Sequence, residues 1–146
     1  MAAGLSLDKH NIEEFAKRIN ENASLTKDDL IPKIQIDVAM PMGYVTDSLI
    51  ESMELLEPFG TGNRRPLFAQ KDVVVKYSNI VGKNRNTLKL VLKDEEQREY
   101  HAVYFGDVAA MQEYIMSQEC ISIVYYPKIN QYMGQKEIQF IIQHIR

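Results

Sequence analysis

The chain has 146 residues, 45% of them apolar and 25% charged, with a net charge of −3. That composition is of a globular protein with one ordinary domain, or one small domain and part of another. It excludes a membrane span, since no apolar run approaches ~20 residues, and a secretory signal, since the N-terminus lacks a charged-then-apolar pattern. The single cysteine, Cys120, excludes an internal disulfide and a cysteine-rich zinc site. It falls in an apolar strand pattern, which predicts a buried, inert thiol. The cytoplasm is the default location, with no membrane partner.

Charge is unevenly spread. Residues 1–57 carry five Lys/Arg against eleven Asp/Glu, and residues 58–146 carry twelve against nine. Lys76, Lys83, Arg85, Lys89 and Lys93 fall within eighteen residues that hold no acid. Such asymmetry directs attention to a polyanion on the second half, although a solvated strand face gives the same count.

The chain opens abruptly at Met1-Ala2-Ala3-Gly4, and Met1 reads as an expression methionine. From about Asp8 to Ala23, Ile12, Phe15, Ala16, Ile19 and Ala23 recur with helical period. Asp8 is the expected N-cap, with Asn11 and Glu14 as a rival capping box. Ile34, Ile36 and Val38 alternate with Gln35 and Asp37 as in a half-buried strand. Thr46 then caps a second helix, with Leu49, Ile50, Met53 and Leu56 inward and Pro58 as its stop. One helix, one strand and one helix cannot bury a sizeable core, so residues 1–57 are expected to lean on other sequence or on the domain that follows.

Between Leu55 and Phe68 the periodicity lapses. Pro58 and Pro66 fix φ and cannot continue a helix. Gly60, Gly62 and Asn63 tolerate φ > 0, so residues 58–68 are expected to form a specific, ordered loop anchored by Phe59 and Phe68. Beyond Phe68 the period becomes two. Val73, Val75 and Tyr77 begin a strand reaching about Val81, and Gly82–Asn86 is a turn. Leu88, Leu90 and Leu92 alternate with Lys89 and Val91 in a second strand, and Asp94–Gln97 turns the chain again. A third strand spans about Glu99–Phe105, with His101, Val103 and Phe105 opposite Tyr100, Ala102 and Tyr104. Gly106-Asp107 opens a short helix with Val108, Met111 and Ile115 on one face. Strands at Cys120–Ile129 and Lys136–Ile145 follow, separated by a turn at Asn130–Gly134.

Three strands, a short helix and two strands is the element order of the OB-fold, a small Greek-key barrel. The predicted fold class is therefore mainly β with an α+β N-terminal part, a five-stranded OB-fold barrel preceded by a partial helix-strand-helix segment.

The string Leu56-Glu57-Pro58-Phe59-Gly60-Thr61-Gly62-Asn63-Arg64-Arg65-Pro66-Leu67-Phe68 resembles the Leu-Glu-Pro-Phe-Gly-x-Gly-Asn-Pro-x-Pro-x-Phe linker of the RecJ family of single-strand-specific DNA exonucleases, which are DHH phosphoesterases. Arg64 stands where that family usually has proline. Val81-Gly82 followed by Thr87-Leu88-Lys89-Leu90, Ala102-Val103-Tyr104-Phe105-Gly106, and Asn130 with Tyr132 and Gly134 are similar to that family's OB domain. Ala2-Ala3-Gly4 is similar to the end of its Gly-Gly-His-x-x-Ala-Ala-Gly motif, whose first part is missing. The resemblance implies residues 1–57 as a C-terminal remnant of the DHH-associated domain, 58–68 as linker and 69–146 as OB domain. It implies a parent hydrolase that degrades single-stranded DNA from the 5′ end with Mn²⁺ or Mg²⁺, in DNA repair and recombination. Its partners would be single-stranded DNA, the catalytic DHH core of the same protein and, as a further candidate, a single-strand-binding protein.

The residues themselves argue against catalysis within this chain. Two-metal hydrolysis needs clustered carboxylates and histidines, whereas His10, His101 and His144 are scattered and Asp28-Asp29 reads as a solvated acidic pair. No phosphate-cradling loop, nucleophile elbow or metal-spaced Cys/His set occurs, so no cofactor or metal is expected here. A binding surface remains. Single-strand recognition by OB-folds combines cations along the backbone with rings on which bases stack. With the leucines of the second strand inward, Lys89 faces out. Tyr100 and Tyr104 are expected outward by the same alternation, a hydroxyl-tipped core or rim position being the alternative for each. Lys83 and Arg85 occupy the first hairpin turn, and Gln131 and Tyr132 the last, loops that flank OB grooves. Tyr125 and Tyr126 are adjacent, so one of them points inward. Two other readings stay open: an OB module for RNA, and a structural or protein-docking barrel without affinity for nucleic acid.

Overall fold

A computed structural model describes residues 4–31, 33–132 and 134–146, Tyr132 by its backbone alone. Ala2 and Ala3 lie outside the described residues. The chain divides into two compact units, Met1–Ile34 and Gln35–Arg146.

In the first unit a 3₁₀ turn at Lys9–Asn11 leads into α1 (Ile12–Asn22), and a second 3₁₀ turn spans Lys27–Leu30. The α-helix begins later than Asp8, and neither Asp8 nor Asn11 caps with its side chain. The reciprocal cap is formed instead by Thr26 and Asp29, whose carboxylate accepts from the Thr26 amide at 2.8 Å and its hydroxyl at 2.7 Å. One member of the acidic pair thus serves a turn. No residue of α1 is buried.

In the second unit, the strand expected from Ile34 shrinks to β1 (Val38–Ala39), which pairs in parallel with Phe68 and Ala69. Ile36 and Val38 are exposed, so the alternation there does not mark a buried face. A 3₁₀ turn (Met42–Tyr44) precedes α2 (Asp47–Glu54), capped by the Thr46 hydroxyl accepting from the Leu49 amide at 3.2 Å. Ile50 and Met53 are buried, but the helix ends before Leu56 can come round, and Leu56 stays exposed.

The remaining elements are β2 (Phe68–Val81), β3 (Thr87–Lys93), β4 (Glu99–Phe105), α3 (Val108–Met116), β5 (Ile121–Tyr132) and β6 (Gln135–Ile145). Antiparallel pairs join β2 to β3, β3 to β4 and β5 to β6; β4 and β6 pair in parallel, and β2 pairs with β5. Five strands therefore close on themselves as the expected OB barrel, leaving no open edge in the ring. Val73, Leu88, Leu90, Leu92, Ile123, Tyr125, Phe140 and Ile142 fill it. Val108 and Ile115 of α3 join this core, and so do Met42, Val45, Ile50 and Met53 from residues 35–57. Of the two adjacent tyrosines Tyr125 is the inward one; its hydroxyl donates to the Met40 carbonyl at 2.8 Å, and burial pushes its pKa up. Cys120 is exposed rather than buried, because β5 starts one residue after it.

The β3–β4 turn is fixed by one carboxylate. Asp94, 5% exposed, accepts from the Arg98 amide at 2.9 Å, the Arg98 guanidinium Nε at 2.8 Å and the Tyr100 hydroxyl at 2.7 Å. Burial alone would raise the Asp94 carboxyl, but those three donors outweigh it and hold the pKa below the ordinary value. Burial and the same bond push Tyr100 up to about 12.

Phe68 is 5% exposed and packs 5.9 Å from Tyr125, so Phe68→Ala should cost about 3–5 kcal/mol in denaturant unfolding. A loss under about 1 kcal/mol would show that the strand can re-form without its anchor. Because the Asp94 pKa is depressed on folding, its contribution is complete above the ordinary value of about 4 and is lost as pH falls through the lower folded value. Asp94→Asn should therefore be less stable than the parent at pH ~6, and the gap should narrow as pH falls below about 4. A pH-independent gap would assign the loss to packing instead.

Candidate nucleic-acid interface

Cross-strand partners share a face, so the ladders decide which side chains look outward. Leu88, Leu90 and Leu92 lie opposite Tyr104, Ala102 and Tyr100. The tyrosines therefore stand on the leucine side, not outward as the sequence suggested. Tyr100 meets Phe140 edge-on at 5.6 Å and is tied to Asp94. Tyr104 packs against the core, and its ring lies so close to Gly106 that a Cβ there would meet the phenol oxygen at 2.7 Å. Both rings are half-buried and engaged from within.

The rows on the side away from the leucines are Tyr77–Val91–His101, Asn79–Lys89–Val103 and Val81–Thr87–Phe105, among which Val103 is itself buried. Tyr77 and Phe105 are each 57% exposed. They lie diagonally on either side of Lys89, at spacings of roughly 7–8 Å between neighbouring strands. Tyr77 owes its aim to a bulge between Val75 and Tyr77, which leaves Val73 and Val75 facing the core and, with Lys76 as the extra residue, turns Tyr77 out. That irregularity has no sequence signature. The outward aim of Phe105 does have one: a five-residue turn sets Lys93 opposite Glu99, and every later partner follows.

Lys83 and Arg85 are exposed in the turn between β2 and β3, as expected, and Lys89 is exposed on the outward face. None of the three has an ion-pair partner among the described residues. Arg85 adopts φ 52°, a left-handed conformation, and its amide bonds the Gly82 carbonyl at 3.0 Å. Lys76 and Lys93, by contrast, both reach Glu99. At the opposite end of the face, Gln131 is exposed but sits in the ladder opposite Lys136, because β5 and β6 extend to Tyr132 and Gln135 and shorten the expected turn. The side chain of Tyr132 lies outside what the structure describes.

Residues 58–68 form a hydrogen-bonded loop. Gly60 and Asn63 exchange backbone bonds at 2.8 and 3.2 Å, and the Asn63 amide side chain donates to the carbonyls of Leu56 at 2.6 Å and Pro58 at 3.1 Å. Neither Gly60, Gly62 nor Asn63 takes positive φ, and a Cβ on either glycine would meet nothing within 4 Å. The glycines are therefore not required by conformation here; Asn63 holds the loop. Pro66 is half-buried, Phe68 is a core anchor, and Phe59 is half-buried beneath the Arg65 guanidinium, 4.2 Å from its ring. The same guanidinium lies 4.8 Å from the Tyr126 ring on β5.

Among the described residues no group of three His, Cys, Asp or Glu side chains could hold a metal ion, and no helix is long and apolar enough to cross a membrane. Among the described residues the only His–acid pair, His101 with Glu137 at 3.5 Å, is open and lacks a third ligand.

The comparisons with known proteins agree with this fold. The family model for the RecJ OB domain matches residues 36–144. The single-stranded-DNA-specific exonuclease RecJ of Bacillus subtilis is 30% identical over 145 residues, which cover 98% of this chain and 18% of that protein. Crystal structures of RecJ from Thermus thermophilus, in complex with Mg²⁺ and with Mn²⁺, share the fold with TM-scores of 0.71 and 0.69 at 18% identity. They cover 97% of this chain and 21% and 20% of theirs, so the chain spans about a fifth of the length of these relatives. A barrel of OB topology that matches the family model along most of its length makes the chain a member of the RecJ OB domain family.

Proposed function

We propose that this chain is the single-strand-binding portion of a RecJ-like exonuclease, with no hydrolytic activity of its own. The observation that carries the reading is the outward face of β2–β4, where unpaired Lys83, Arg85 and Lys89 adjoin two exposed rings, Tyr77 and Phe105. Cations alone would give featureless phosphate contact, and rings alone would take any apolar partner; together they suit unpaired bases, which offer free faces for stacking. Tyr100 and Tyr104 support this face from within, and Gln131 would flank its far end. The name of the Bacillus relative, which specifies single-stranded DNA, favours DNA over RNA.

Metal-dependent 5′-to-3′ hydrolysis, with Mn²⁺ or Mg²⁺, would belong to a DHH core outside these 146 residues, since the donor set among the described residues does not fit a metal. Residues 1–34, rather than the 1–57 that the sequence suggested, would be the end of the DHH-associated domain; residues 35–57 pack into the barrel core and would go with the OB portion, with residues 58–68 as a loop inside it. The apolar residues Ile12 and Ile19, each 52% exposed on α1, suit a helix that is completed by other parts of such a domain. The whole protein would act in the cytoplasm on repair and recombination intermediates.

Fluorescence titration with labelled oligonucleotides tests the binding reading. Affinity should favour single over double strands and DNA over RNA, and should fall with salt at about −0.7 in log–log slope for each neutralised phosphate. Tyr77→Ala and Phe105→Ala should each weaken binding by about 1–3 kcal/mol with little change in slope. A salt-insensitive or absent response would favour a docking barrel. Arg85→Gly should bind more weakly, yet be no less stable and up to about 1 kcal/mol more stable, because glycine adopts the left-handed region freely. A large stability loss would mean that Arg85 holds the turn. Incubation of a 5′-labelled single strand with Mn²⁺ or Mg²⁺ should leave it intact; degradation by contaminant-free protein would overturn the non-catalytic assignment.

A further inference from the structure

Five cations share the stretch without acids, but the fold treats them differently. Lys83, Arg85 and Lys89 lie toward the Gly82–Asn86 turn and have no ion-pair partner among the described residues. Lys76 and Lys93 lie toward the other end of β3, where Glu99 of the neighbouring strand reaches both. Its Oε1 is 2.5 Å from Lys76 Nζ and 3.9 Å from Lys93 Nζ, and Gln97 accepts from Lys93 Nζ at 3.2 Å. Glu99 stands directly opposite Lys93 and shares the outward side with His101, Val103 and Phe105. The Lys76 hydrogen bond holds the Glu99 carboxyl below the usual carboxylate range, so it is charged at neutral pH. The side chains of Lys76, Lys93 and Glu99 are 50%, 25% and 42% exposed, so a phosphate can approach but must displace the carboxylate.

We infer that Glu99 limits the length of single strand this face holds, by occupying Lys76 and Lys93 and confining phosphate contact to Lys83, Arg85 and Lys89. The inference rests on the nucleic-acid reading above and adds a determinant of footprint to it. A carboxylate shared between two lysines is a weak interaction at an exposed site, but it replaces two attractive charges by a net of one and places a negative charge where the strand would continue. Phosphates that pass Phe105 and Lys89 therefore gain little by going further. Removing the carboxylate should lengthen the bound segment rather than weaken it.

The test uses the 146-residue chain, its Glu99→Gln variant and oligothymidylates of about 4 to 16 nucleotides, titrated between about 50 and 200 mM salt. The parent should show a log–log salt slope near −2, for three contacts, and gain little affinity beyond short oligomers. Glu99→Gln should steepen the slope to about −3.5, tighten binding to the longer oligomers about tenfold near 150 mM salt, and shift the length at which affinity levels off upward. Lys76→Met with Lys93→Met should leave the parent's salt slope unchanged and abolish the gain in the Glu99→Gln background, which separates released lysines from a change in fold. Parent binding with an unaltered slope and length dependence in Glu99→Gln overturns the inference and leaves the nucleic-acid reading intact. Absence of salt-dependent binding by both proteins overturns the two together.

Discussion

Which side chains this barrel presents to its surroundings depends on the pairing of β3 with β4. Side chains alternate with a period of two, so a shift of one residue would exchange the two faces of β4 completely. Tyr104, Ala102 and Tyr100 would leave the core, and His101 would enter it without a partner. The buried Asp94 carboxylate opposes that shift by gathering the Arg98 amide, the Arg98 guanidinium and the Tyr100 hydroxyl. Gln97 completes the turn in a left-handed conformation. From the register so fixed, β6 takes its parallel place beside β4 and the ring closes. One polar cluster thus positions an apolar interior and, on its reverse, the cationic face.

What could be read from the sequence was local. Alternating leucines, the Thr46 cap and the Asp107 side chain that caps α3 all act within a few residues, and the barrel order follows from them. The facing of β4 was hidden because both of its sides are amphipathic. Tyr-Ala-Tyr carries hydroxyls that suggest solvent, and His-Val-Phe carries apolar groups that suggest a core. In the fold the hydroxyl of Tyr100 finds Asp94 and Phe105 is left outside. The bulge before Tyr77 was hidden for another reason, since an extra residue in a ladder is a property of two strands at once. The cations of the candidate face were legible as charge; the rings beside them were not.

The Asn63 loop shows a similar separation between a recognisable string and the work done by its residues. Its glycines adopt conformations open to other residues, and the holding is done by an amide side chain and by a guanidinium lying against two aromatic rings. Cation–aromatic contacts at exposed sites contribute about 0.5–1 kcal/mol each, enough to favour one seating of the loop on β5. The loop is thereby a part of the barrel's wall as well as a passage between elements.

The pairing of β1 with the start of β2 has a mechanical consequence. The Asp37 amide bonds the Leu67 carbonyl and the Asp37 carboxylate accepts from the Leu67 amide, each at 2.9 Å, so the segment from residue 37 to residue 67 is a closed loop of chain clasped at its neck. Tension transmitted along the backbone from residues before Gln35 would meet that clasp first. It would load a few parallel hydrogen bonds at the root of β2, while α2 and the proline-rich loop beyond remained slack. The glycine- and proline-containing string is thus shielded from pull, and the load path runs directly from the entering chain into the strand that carries Tyr77.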